Sequence, residues 1–180
     1  MYVRGAITEC ALRDVGLIET PPGSNIIKFN DWYYEGGEYH KTKGTDKYNP
    51  SRWPYCATGV SFWYYHGSPS FFFIPNVDGA TGFCSVPNMH KYATKHGLFT
   101  IDPQMDDIVL MDFKGDGTWD HTGVFKGWEK KGYSYWSIEA NTSSNEKGSQ
   151  ANGGGVYLRL RYVSDGGMKS VFVNVIDNIQ

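Results

Sequence analysis

From Pro103 onward the chain alternates short apolar runs with turn-rich spacers, and this pattern constrains the fold more than any other feature. The runs are DIVLMDF (107–113), HTGVFKGW (121–128), YSYWSIEAN (133–141), VYLRLRYV (156–163) and VFVNVI (171–176). They are rich in β-branched and aromatic residues and read as strands. KGDGTWD, EKKG and SDGGMK lie between them and supply the glycine and aspartate that tight turns use. Spacers this short join antiparallel neighbours, because a parallel pair needs a crossover of about a dozen residues or more. The expected sheet is an antiparallel meander.

Upstream the pattern is helical and interrupted. Thr8 is expected to cap a helix running to about Gly16, with Leu12 and Val15 on one face. Pro21-Pro22-Gly23 breaks it. Residues 25–54, rich in Gly, Asn and aromatics, read as irregular loop. A second helix is expected from Cys56 to about His66, and a third from a Ser85 cap to Gly97, with Pro87 in its first turn. Helices first and strands after make an α+β chain, with the helices on one face of a small antiparallel sheet. The 180 residues, 40% of them hydrophobic, are enough for one core. With no repeat, linker or low-complexity tract, residues 1–180 are expected to form a single domain.

Charge narrows the partners. The net charge is -2 and no basic stripe is present, which argues against nucleic acid or an anionic membrane as a partner. No run of 18 apolar residues exists, so membrane insertion is not expected. The N-terminal MYVRGAITECALRDVG has neither an apolar h-region nor a small-residue cleavage site, so synthesis in the cytoplasm without a signal peptide is expected. Cys10, Cys56 and Cys84 are odd in number and far apart, unlike a disulfide framework. Aromatic residues reach 16%, enough for the core and for a groove that holds an extended substrate by contact.

The chemistry centres on WPYCATGVSFWYY (53–65), where Cys56 falls in the first turn of the expected helix. The free N–H groups and the positive dipole end there favour an anion, whether a thiolate or the oxyanion of a tetrahedral intermediate. A thiol nucleophile also needs a base and a group to orient it. His121, opening a strand after an acidic turn, is the candidate base. Glu139 and Asn141 follow on the next strand at i and i+2, so both face the same way and both can reach the imidazole of a neighbouring strand.

SRWPYCATGVSFWYY, MDDIVLMDFKGDGTWDHTGVF, SIEANTSSN and NGGGVYLRLR together resemble the CHAP family of cysteine, histidine-dependent amidohydrolases and peptidases. ETPPGSNIIKFNDWYY resembles the N-terminal part of that family's phage endolysins, and the likeness runs over roughly residues 8–162. The resemblance implies a papain-like (NlpC/P60-like) fold and hydrolysis of amide bonds in bacterial peptidoglycan. It implies that Cys56 is the nucleophile, His121 the base, Glu139 the orienting residue and Asn141 a fourth polar member. No cofactor is implied, and a monomer acting on the wall after release from the host cytoplasm is expected. The chain departs from the family at two positions: Ala140 stands where Gly is usual, and Gly59 where a bulky apolar residue is usual.

Two other readings keep the fold: an amidase acting on a small soluble amide, and a non-catalytic phage tail or wall-binding module. Cys10, Cys84 and the histidines at 40, 66, 90 and 96 lie outside the motifs and are expected to be structural or surface residues. Asp112, Asp116 and Asp120 partly match a calcium loop, but Lys114 takes a ligand position and the closing Glu is missing. That segment is expected to be a turn that sets His121 in place, with no metal.

Overall fold

A computed structural model describes residues 3–36, 53–67, 83–145 and 147–177. Helices α1 (Ala6–Leu12), α2 (Lys28–Asn30), α3 (Cys56–Gly67) and α4 (Val86–His96) precede the sheet. A π-helical turn, Asp31–Gly36, continues α2. The strands are β1 (Phe99–Thr100), β2 (Ile108–Asp112), β3 (His121–Lys130), β4 (Ser134–Thr142), β5 (Gly155–Tyr162), β6 (Ser164–Asp165) and β7 (Met168–Val173). All their pairings are antiparallel, so the described residues form an α+β unit.

Strands β2 to β5 run as the expected meander, but β7 does not extend it. It returns to pair with β2, giving the order β1-β7-β2-β3-β4-β5 with β6 hairpinned to β7. The sheet is strongly curled: the Tyr135 hydroxyl on β4 lies 2.7 Å from Ser170 Oγ on β7, across two intervening strands. Inside the curl, Val109, Met111, Phe125, Tyr135 and Phe172 form a second core. The opposite face, with Ile108, Leu110, Val124, Ile138 and Ala140, packs against the helices. Both faces of β2 are therefore buried along its whole length.

Helix α3 is the centre of the helical layer. It is apolar on nearly every side, which marks a helix surrounded by protein. Trp63 within it donates its indole N–H to Asp14 at 2.9 Å, and Thr58 donates to Asn30 Oδ1 at 2.8 Å. Asn30 in turn donates to the carbonyls of Asn25 and Trp53, both at 3.0 Å. These bonds and the burial of Phe29 explain why 28–36 is helical where loop was expected. Residues 37–52 of that expected loop lie outside the described residues.

The first helix is also shifted. It begins at Ala6 and ends at Leu12, and Thr8 is not its cap. The carboxylate of Asp106 accepts the N–H groups of Gly5 and, at 2.7 Å, Thr8, so the cap comes from about a hundred residues away. Helix α4 keeps its expected bounds, closing on Gly97 in the left-handed conformation that glycine adopts at low cost.

Candidate active site

Tyr55 accepts the first bond of α3, from Gly59 N–H at 2.9 Å, so Cys56 is the first helical residue. The N–H groups of this turn have no partner within the helix. Gly59, one turn on, faces β4: a Cβ there would lie 2.6 Å from the Ala140 Cβ. In the β3–β4 register Val124 faces Ile138, so this close approach sets the start of α3 at the His121 end of β3.

His121 opens β3 opposite Met111, and the N–H of Asp120 just before it bonds the Met111 carbonyl at 2.9 Å. The preceding turn is held by its own carboxylates. Asp112 accepts backbone N–H groups from Gly115 at 2.7 Å, Gly117 at 2.8 Å and Lys114 at 3.2 Å. Burial opposes ionisation of Asp112, but these amides outweigh it and lower its pKa. Among the described residues no cluster of three or more His, Cys, Asp or Glu side chains has the geometry of a metal site.

The imidazole Nε2 lies 3.0 Å from Glu139 Oε2. Glu139 also accepts from Ser137 Oγ at 2.5 Å and from both arms of Arg161, Nε at 2.9 Å and Nη2 at 2.6 Å. Cys56 is 5% exposed, His121 and Glu139 0%, and Arg161 7%, so this chain of groups is almost dry. Phe113 stacks on His121 with centroids 5.7 Å apart and lies 5.3 Å below the Arg161 guanidinium, forming an apolar floor for both. Gly123 makes room for the carboxylate, since a Cβ there would meet Glu139 Cγ at 2.8 Å and the Ile138 carbonyl oxygen at 2.7 Å.

Electrostatics follow from this packing. Burial alone would lower the His121 pKa, but the Cys56 side chain and Glu139 outweigh it and raise the pKa from 6.5 to about 9. Burial would raise the Glu139 pKa, yet Arg161 first and His121 second hold it at about 2. At neutral pH the imidazole is therefore a cation and Glu139 an anion. Nε2 is engaged by Glu139, and Nδ1, with no nitrogen or oxygen partner among the described residues, is left as the atom through which the ring can exchange a proton.

The structure thus brings together Cys56, His121 and Glu139. Asn141 is placed differently from the i, i+2 expectation. A register irregularity separates Glu139 from Thr142, and Asn141 has φ 60. Its Nδ2 donates to the Ala151 carbonyl at 3.3 Å and its carbonyl accepts Gly153 N–H at 2.9 Å, so it ties down the loop after β4. Its Oδ1 is buried without a hydrogen-bond partner among the described residues. Arg161, Ser137 and Phe113 were not singled out by the sequence; period-two spacing on β4 and β5 was the signal for Ser137 and Arg161, and Phe113 lies just past the end of β2. No family model matches the chain, and no curated protein matches it.

Proposed function

We propose that this chain is a papain-like cysteine amidohydrolase that cleaves amide bonds of bacterial peptidoglycan, in the manner of phage endolysins. The observation that carries the reading is a cysteine in the first turn of a buried helix, next to an imidazolium whose far nitrogen is bonded to a buried carboxylate. A binding module has no use for such a dry, ordered set of charges. The central helix against an antiparallel sheet supports the papain-like fold, and the resemblance of the motifs supplies the substrate class.

The reaction runs in two steps. The Cys56 thiolate attacks the carbonyl carbon, and N–H groups of the first turn of α3 hold the oxyanion. The C–N bond breaks as His121 Nδ1 gives its proton to the departing amine, leaving a thioester on Cys56. Water then loses a proton to the imidazole and attacks the thioester; the C–S bond breaks, releasing a carboxylic acid that gives its proton to solvent and restoring the thiolate–imidazolium pair. Glu139 keeps the ring in place throughout. The scissile bond is either the N-acetylmuramoyl–L-alanine amide or a peptide bond of the stem or cross-bridge, and the enzyme reaches the wall after release from the cytoplasm of the host.

Clearing of a suspension of purified bacterial walls tests this. The wild-type protein should clear it, and Cys56→Ala should not. Equal clearing by both, or by neither, would rule the proposal out.

A further inference from the structure

Glu139 is a carboxylate with no exposure, and one imidazole is not enough to keep such a group both charged and fixed. Among the described residues four groups approach it: His121 from β3, Ser137 and the Tyr135 ring from its own strand, and Arg161 from β5. Only Arg161 is a permanent cation, and only Arg161 contacts both carboxylate oxygens. Its remaining donors are directed as well: Nη1 reaches Gln150 Oε1 at 2.9 Å, and Nη2 also reaches Thr142 Oγ1 at 3.3 Å. The fork is therefore fixed from β4 and from the loop between β4 and β5.

We propose that Arg161 is a positioning residue for His121, acting through Glu139. It rests on the reading of Cys56 and His121 as nucleophile and base. The four side chains then alternate in charge: thiolate, imidazolium, carboxylate, guanidinium. Arg161 neutralises Glu139, so the imidazolium is left to pair with the thiolate. Without Arg161, the carboxylate either takes up a proton and releases the ring, or claims the imidazolium for itself. Both outcomes weaken the thiolate. The low pKa of Glu139 is consistent with this arrangement.

The test compares wild type, Arg161→Gln and Arg161→Lys by two readouts across pH 4 to 9: wall clearing, and the rate of Cys56 alkylation by iodoacetamide. In Arg161→Gln the Glu139 carboxyl should titrate within the working range, moving the acid limb of both profiles up by about 1–3 pH units. Arg161→Lys keeps the charge but loses the fork. Its acid limb should stay near wild type while its rates fall by about tenfold or more. A folded Arg161→Gln with an unmoved acid limb overturns the proposal. Should Arg161→Gln fail to fold, an Arg161→Lys protein alkylated at the wild-type rate at every pH overturns it equally. Alkylation needs no substrate, so the two readings fail separately. A wild type that cannot clear walls, with an alkylation limb that still shifts in Arg161→Gln, sinks the hydrolase and leaves the positioning role standing.

Discussion

Gly59 on α3 and Ala140 on β4 are in direct apposition, and a Cβ on Gly59 would sit 2.6 Å from the one on Ala140. With no side chain at Gly59, the helix approaches β4 closely enough to bring Cys56 to His121. Gly59→Ala should cost about 1–3 kcal/mol through overpacking, less the roughly 1 kcal/mol that alanine returns in helix propensity. Adding Ala140→Gly should recover part of that cost. Urea denaturation of both single variants and the double variant measures it, and additive effects would contradict the contact.

Cys56 should be alkylated before the other two thiols near neutral pH. Burial and the nearby Asp14 push the Cys10 thiol up, outweighing Arg13 and Lys28, so it reacts slowly. Peptide mapping after a brief pulse of iodoacetamide checks this, and first labelling at Cys10 or Cys84 would move the nucleophile elsewhere.

The helices flanking the site and the long strands were legible because their signals are local. Ser85, Pro87 and Gly97 bound α4, and Cys56 begins α3 as expected. What was hidden depended on distant residues. Asp106 caps α1, a contact that no window around Thr8 contains. The two-residue strands β1 and β6 are too short to carry a period. Arg161 in VYLRLRYV carries no motif of its own, and the sheet curls and buries its inner face, so alternation no longer separates core from surface. Cys56, His121 and Glu139, which the structure brings together, stand out in the sequence because their chemistry is unusual for their positions. Arg161, which joins them through Glu139, does not stand out because its position is ordinary for its chemistry.

Gly123→Ala should damage both activity and stability. The added methyl would meet the Ile138 backbone carbonyl oxygen at 2.7 Å, which forces the strands apart, and Glu139 Cγ at 2.8 Å, whose side chain gives way only by leaving its contacts with His121 and Arg161. The expected loss of wall clearing is about tenfold to a hundredfold. Comparing clearing rates with melting temperature separates the effects, and wild-type clearing in a folded variant would show that the carboxylate has slack.

Stability should fall at both ends of the pH scale. His121 has a folded pKa raised to about 9, so its contribution is full below about 6.5 and is lost as pH rises through 9. Glu139 has a folded pKa lowered to about 2, so its contribution is full above about 4.5 and is lost as pH falls through 2. Denaturation midpoints from pH 2 to 10 should show a plateau between about 4.5 and 6.5. In Glu139→Gln the imidazole pKa, followed by NMR, should drop by about 1 unit or more. An unchanged value would mean that Glu139 does not hold the proton on the ring.

The most direct test of a Cys56–His121 amidohydrolase is a count of new chain ends in one digest of purified peptidoglycan, with wild type and Cys56→Ala side by side. A thiolate and an imidazole attack carbonyls, whereas glycosidic cleavage usually takes two carboxylates about 5–9.5 Å apart. Wild type should release free amines, measured by dinitrophenylation, with no rise in reducing sugar, and Cys56→Ala should release neither. New reducing ends without new amines, or amines released equally by Cys56→Ala, would contradict the account.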